Sequence, residues 1–486
     1  MTAPAAVAET HSAVVMFVGD LAYKLKKPVD LGFLDFRTRE RREAVCHREV
    51  ELNRRLAPDV YLGVADVVGP DGRPCDHLVV MRRMPDDRRL SALVRQAGPG
   101  DRALDDHLWH LAHLLAAFHA GADRSDAADR AVSRDALAAR WATNTADLVT
   151  RDCVPRAQVE DVDRRAQEYL RGRRPLLARR IAEGRACDGH GDLLADDIFC
   201  LDDGPRVLDC IEFDTGLRLD DALADVCFLA MDLERLGRPD LADRFLAAYR
   251  EHADDAWPAS LAHHHVAYRA QVRAKVAAIR AGQGDGASAG EARRLLDLAQ
   301  RHLVDGTVRL VLVGGLPGTG KSTVAAGLGE ALAATVLGSD EIRKEQAGLR
   351  PDQPTPAPFG QGLYRPEATA ATYAELLRRA GVALAHGETV VADATWGDDG
   401  RRAAARDLAA AAHAELVELR CAAPGAVAAE RIRARLGAGG GASDATPEVA
   451  TALAAAEAPW PSARPIDTGG SPERAVEQAL GLVRGT

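Results

Sequence analysis

Apolar and polar positions alternate near the start of this chain. Residues 14–18 and 22–25 repeat with period two around Gly19-Asp20, so two paired strands joined by a tight turn are expected. Residues 37–56 change to a helical period, with Val45, Leu52 and Leu56 forming part of an apolar face. Residues 77–81 read as another strand. Helical patterns dominate from 105 to about 182, a strand-rich patch covers 187–213, and helices return from 221 to about 281. The stretch 282–290 is small, polar and rich in glycine, which marks a linker, and a helix of about 291–303 follows it. From Thr307 strands and helices alternate, the pattern of a parallel α/β sheet. The expected division is a first domain over 1–285, a linker and helix over 286–305, and a second domain over 306–486. A second glycine-rich stretch, 437–442, reads as a mobile loop.

Composition narrows the function classes. A chain of 486 residues accommodates two or three domains. A formal net charge of −10 disfavours a dedicated nucleic-acid binder. The eight cysteines are scattered without a C-x-x-C pair, so neither a zinc site nor a disulfide framework is expected, and a reducing cytoplasm is the simplest home. The first residues lack a basic segment and a long apolar run, so they do not read as a signal peptide, and no apolar run approaches membrane-spanning length.

The strongest chemical signal is GLPGTGKS at 315–322, which fits the phosphate-binding P-loop. Residues 309–313 read as a buried strand before it and 322–334 as a helix after it. Glycines let the backbone wrap a phosphate with its N–H groups beside the helix start, so Gly315, Pro317, Gly318, Thr319 and Gly320 are the expected ATP-binding loop. Lys321 is placed to reach the β- and γ-phosphates of ATP and Ser322 to ligate Mg²⁺, and Thr323 is counted with the ATP-binding residues. Asp340 and Arg343, three apart on one helical turn, face the same way: a carboxylate to take a hydroxyl proton and a guanidinium to hold an oxyanion. Residues 389–393 form an apolar strand ending in Asp393, the form of a Walker B-like metal strand. Arg431, Arg433 and Arg435 read as an arginine-bearing helix beside the second glycine-rich stretch.

A different constellation precedes the linker. His190-Gly191-Asp192 comes before a strand over 197–201, and a second acidic strand is expected over 207–214 with Asp209, Glu212 and Asp214. Two acidic clusters on adjacent strands suit an Mg·ATP phosphotransferase, in which one aspartate activates the acceptor hydroxyl and others hold the metal. His119 reads as a structural helix histidine, and Glu212 as a surface carboxylate with metal binding as the lesser alternative.

The segment around His190-Gly191-Asp192 resembles the aminoglycoside phosphotransferase-like branch of the protein-kinase superfamily. The resemblance implies that Asp192 is the base, Asp209 a metal ligand, Lys24 the ATP-binding lysine (with Lys26 as runner-up) and Glu49 its helix partner. The usual metal-binding asparagine five residues after the base is Asp197 here, and no G-x-G-x-x-G loop is present. The P-loop half resembles small P-loop kinases of the zeta-toxin, gluconate-kinase and polynucleotide-kinase types. That resemblance implies Asp340 as base and Arg431 and Arg435 as lid arginines at the transferred phosphoryl.

The expected fold is therefore a bilobal protein-kinase-like α+β domain followed by a P-loop α/β domain with a parallel sheet. The expected function is a bifunctional kinase using ATP and Mg²⁺ on hydroxyls of small polar metabolites, sugar- or aminocyclitol-like. The alternatives are one catalytic domain with a nucleotide-binding regulator, or a nucleic-acid 5′-hydroxyl kinase. Nucleic acid and membrane are not expected partners.

Overall fold

The computed structural model describes residues 6–9, 12–30, 34–98, 100–350, 353, 355, 360–438 and 443–485. It divides into two compact units. One comprises Met1–Arg164, Leu177–Trp257 and Ala262–Leu303; the other comprises Arg165–Leu176, Pro258–Leu261 and Val304–Thr486.

In the first unit, strands β1 (Ala6–Glu9), β2 (Ala13–Val18), β3 (Leu21–Lys26), β4 (Tyr61–Val68) and β5 (Pro74–Arg82) form an antiparallel sheet in the order β1-β2-β3-β5-β4. Period two puts Ala22, Lys24 and Lys26 of β3 on one face. Ala22 joins the core with Val79, Met81, Tyr61, Cys46 and Val50. The last two belong to the helix Arg39–Asn53, which starts where the Thr38 side chain accepts the Arg41 N–H. Glu49 and Asn53 share that helix's buried face, so the packing carries a carboxylate and an amide inward with the apolar residues.

The strand-rich patch contains β6 (Ala186–Asp188), β7 (Ile198–Leu201), β8 (Gly204–Val207) and β9 (Leu219–Asp221), paired as β6 with β9 and β7 with β8. Here the second acidic segment departs from expectation. The strand ends at Val207, and Asp209 has φ +65°, a left-handed conformation that breaks an extended run. Its acidic residues sit in a turn.

The glycine-rich stretch is also more ordered than its composition suggests. Helix Ala259–Gly282 and helix Gly286–Asp305 leave a break at 283–285. The Asp285 carboxylate accepts the Ala287 N–H and the Ser288 hydroxyl, and this cap starts the second helix despite the glycines.

The second unit is built on a parallel sheet of β10 (Arg309–Gly314), β11 (Thr335–Gly338), β12 (Val390–Asp393), β13 (Glu415–Ala422) and β14 (Arg464–Asp467), in the order β11-β12-β10-β13-β14. Four consecutive residues of β10, Leu310 to Val313, are fully buried, as a central strand covered on both faces requires. Of the glycine-rich stretch 437–442, residues 439–442 lie outside the described residues.

Candidate active sites

In the first unit a ring of charges joins three segments. The Lys24 ammonium lies 2.8 Å from Glu49 Oε1 and 2.6 Å from Asp209 Oδ1. Glu49 is fully buried, whereas half of the Asp209 side chain is open to solvent. Burial opposes the Lys24 charge, but Asp209 and Glu49 outweigh it and hold the ammonium well above its usual range. Lys24 in turn holds the Asp209 carboxyl down to about 2. Asp209 is aimed by its neighbours: its N–H donates to the Tyr61 hydroxyl at 3.2 Å, and the next N–H, of Cys210, donates to Asn53 Oδ1 at 2.9 Å.

Asp192 stands on the loop after β6, one-third exposed, with Arg273 at 3.9 Å. Burial pushes its carboxyl up to about 6, against the pull of Arg273. Asp197 is likewise raised well above the usual carboxylate range, by burial and then by the charges of Asp209 and Asp192. The three carboxylates thus share one electrostatic neighbourhood. Lys24, Glu49, Asp192, Asp197 and Asp209 come together from positions up to 185 residues apart.

The loop bearing Asp192 is held from behind. Gly191 has φ +90°, and a Cβ there would lie 3.1 Å from the Leu217 carbonyl oxygen, so the turn requires glycine. His190 Nε2 lies 3.0 Å from the Leu208 carbonyl oxygen, and its Nδ1 accepts the Asp192 N–H at 3.4 Å. Burial lowers the His190 pKa, which fits this neutral, one-donor form. Arg55 donates to the Asp188 and Gly189 carbonyls, and Arg218 bridges the Asp188 carboxylate and the Ile211 carbonyl.

The sequence reading missed the centre of this brace. Asp225 accepts the N–H groups of His190 at 2.7 Å and Gly191 at 2.8 Å, and pairs with His119 Nε2 at 3.1 Å. His119 is a structural histidine as expected, tied on its other side to Tyr249. The available signal was a carboxylate inside the apolar helix Ala222–Arg235, where every residue from Ala222 to Leu233 is buried. A buried carboxylate needs partners, and two consecutive backbone donors supply them. Asp225→Ala is expected to cost about 3–5 kcal/mol, since it strands both donors and the histidine; the urea unfolding midpoint measures this, and a loss under about 1 kcal/mol contradicts the brace.

Glu212 is not the surface carboxylate considered from sequence. It is buried against Lys26, which also lies 2.6 Å from Glu49 Oε2. Lys24, by contrast, is the lysine that touches Asp209.

In the second unit the P-loop joins β10 to the helix Lys321–Leu332. Gly318 has φ +79°, and a Cβ there would lie 2.4 Å from the Ala428 carbonyl oxygen. The Thr319 hydroxyl donates to the Leu316 carbonyl at 2.7 Å, and Lys321 Nζ donates to the same oxygen at 3.1 Å. Asp393 ends β12 beside β10, within reach of Lys321 and Ser322. Burial raises the Asp393 pKa, against Lys321 and Ser322. Asp340 and Arg343 form an ion pair, and the Arg343 guanidinium stacks 4.6 Å from the Tyr364 ring centroid. Gly315, Pro317, Gly320 and Thr323 lie on the same loop and first helical turn.

The arginines divide. Arg431 donates to the Thr468 carbonyl at 2.9 Å and reaches to 3.7 Å from a Cβ position at Gly320, so it flanks the P-loop. Arg435 donates to the Ala445 carbonyl instead, and Arg433 is exposed. Arg402 is buried and bonded to the Trp396 and Pro459 carbonyls, a packing role.

Comparison with known proteins follows the same division. An AAA domain family model matches residues 310–459. Proteins of Mycobacterium tuberculosis (strain H37Rv) and Mycobacterium bovis, whose names describe them as uncharacterized, are each 47% identical over 482 residues, covering 98% of this chain and 95% of the relative. The chain belongs to their family. Members are thus similar across both units. Among solved structures, the chain is similar to a choline/ethanolamine kinase family protein from Mesorhizobium loti (16% identity, 62% of this chain and 91% of that one, TM-score 0.39). It is also similar to a gluconokinase from Sinorhizobium meliloti 1021 (19% identity, 37% and 93%, TM-score 0.27). In this chain the AAA domain match falls within the second unit. No helix among the described residues is long and apolar enough to cross a membrane.

Proposed function

We propose that the protein is a cytoplasmic bifunctional kinase, each domain transferring the γ-phosphoryl of ATP to a hydroxyl of a small polar metabolite. The observation that carries the reading is the convergence of Lys24, Glu49 and Asp209 in one charge ring beside Asp192, together with Lys321, Ser322 and Asp393 around the P-loop. In the first site Lys24 binds phosphate oxygens and Asp192 accepts the proton of the attacking hydroxyl. In the second, the P-loop and Lys321 cradle the phosphates, Asp340 takes the hydroxyl proton, and Arg343 and Arg431 offset charge on the transferred group. Arg435 supports the segment that follows the lid helix.

The donor sets fit Mg²⁺. Asp197 and Asp209 in one site, and Ser322 and Asp393 in the other, are oxygen donors, and the crowding of Asp197 by Asp209 and Asp192 favours a cation there. Among the described residues no group of three or more His, Cys, Asp and Glu side chains is arranged to hold a metal alone, so phosphate oxygens and water complete the shell. Bound Mg²⁺ supplies charge neutralisation at the phosphates.

A second reading, with the first domain as a nucleotide-binding regulator, is favoured by Asp197 standing where the resemblance expects a metal-binding asparagine. Transfer from γ-labelled ATP to a metabolite extract separates the readings. Two kinases give two labelled products, one lost in Asp192→Asn and the other in Lys321→Ala. A single product that survives Asp192→Asn with ATP affinity intact refutes turnover in the first domain. Labelling of 5′-hydroxyl oligonucleotides instead supports a nucleic-acid kinase.

A further inference from the structure

The first site contains one more lysine than a lysine–glutamate pair needs. Lys24 and Lys26 lie two residues apart on β3 and so face the same way. Glu49 meets both, Oε1 at 2.8 Å from Lys24 and Oε2 at 2.6 Å from Lys26. Lys26 also pairs with Glu212, three residues beyond Asp209, and its ammonium lies 5.6 Å from the Phe36 ring centroid. Lys26 is 2% exposed, and the Glu212 side chain is almost as buried.

We propose that Lys26 and Glu212 are positioning residues that fix the second oxygen of Glu49, and so hold Lys24 where it meets the phosphates of ATP. This rests on the reading that the first domain binds ATP.

The argument starts from cost. Burying Lys26 and Glu212 takes two charges from water, and an apolar pair of similar volume generally stabilises a fold as well or better. Fold stability therefore gives a weak account of the pair, whereas orientation gives a direct one. A carboxylate held through one oxygen can rotate about its last side-chain bond. Held through both, it presents Oε1 in one direction. Lys24 must also divide itself between Glu49 and Asp209, and a fixed Glu49 keeps the ammonium in place when Asp209 turns to other partners. Glu212 gives Lys26 a second carboxylate, so the buried cation remains paired on both sides. Because Glu212 and Asp209 share a short turn, the same pair ties the Asp209 segment to the Lys24 strand.

The test uses the full-length chain in a Lys321→Ala background, which silences the P-loop, and measures ATP affinity by calorimetry and the unfolding midpoint by circular dichroism. The double variant Lys26→Met with Glu212→Leu is expected to keep the midpoint and to weaken ATP binding about tenfold or more. Lys26→Arg, which keeps the cation, is expected to restore most of the affinity. Should the double variant not fold, Glu212→Gln carries the same test, since it removes the charge and keeps the shape. Parental affinity in the folded double variant, or in Glu212→Gln, overturns the proposal. Lys24→Met is the control. If it abolishes binding while the double variant binds normally, the positioning role alone is wrong. If Lys24→Met binds ATP like its parent, the nucleotide reading of the first domain is wrong, and the proposal falls with it.

Discussion

Asp192→Asn is expected to lower phosphoryl transfer in the first domain by about 10²–10⁴-fold while leaving ATP affinity nearly unchanged. The substitution keeps the side chain's shape and removes its ability to take a proton. Asp192 is separate from the Lys24–Glu49–Asp209 ring, so nucleotide contacts should survive. The pH dependence adds a second check. Burial pushes the Asp192 carboxyl up to about 6, and the base acts only when ionised. The transfer rate should therefore rise with pH, reach half its plateau near 6 and remain flat above. At one unit below that midpoint about nine-tenths of the groups are protonated, and the rate should fall about tenfold. The residual rate of Asp192→Asn should lose this transition. A rate that is flat from pH 5 to 8 in the parent chain contradicts the assignment. The measurement is kcat of the first-domain product against pH in a Lys321→Ala background.

The parts of the sites that were legible are those written locally in the chain. Gly315 to Ser322 carries its own geometry, because glycines, a strand and a helix start must be adjacent to make the loop. His190, Gly191 and Asp192 are likewise contiguous. Lys24, with Lys26 as runner-up on the same strand face, and Glu49 came from the family resemblance rather than from a local pattern. What remained hidden depends on pairing across long separations. Asp225 is one such residue, its two backbone partners lying 34 and 35 residues away in the chain. Glu212 meets Lys26 across 186 residues, and no local pattern distinguishes that from surface exposure. The strand expected over 207–214 failed for a related reason. Its acidic residues lie past Val207, where the left-handed conformation of Asp209 breaks the extended run. The arginines illustrate a different limit. Arg431 and Arg435 are one helical turn apart, yet one lies by the P-loop and the other holds the Ala445 carbonyl.

Lys321→Ala is expected to reduce transfer in the second domain by about 10²–10³-fold, with a large loss of nucleotide affinity. Lys321 supplies the mobile positive charge of this site. Its ammonium donates to the Leu316 carbonyl oxygen, 3.1 Å away, a neutral acceptor that it can leave for a phosphate. That arrangement differs from the first domain, where Lys24 is committed to two carboxylates. Removing Lys321 breaks that single hydrogen bond to a neutral carbonyl, and the unfolding midpoint should move little. The neighbouring Asp393 responds instead. Burial already raises its pKa and Lys321 lowers it, so loss of the ammonium lets it rise further. Ionising Asp393 for its metal then requires higher pH, and residual activity of Lys321→Ala should shift to the alkaline side and demand more Mg²⁺. Lys321→Arg should not rescue transfer, because a planar guanidinium cannot replace a compact ammonium in a loop this close-packed. Nucleotide titration and the second-domain product, followed against pH and Mg²⁺ concentration, test each step. A variant that binds ATP normally, or loses activity only through unfolding, contradicts the role assigned to Lys321.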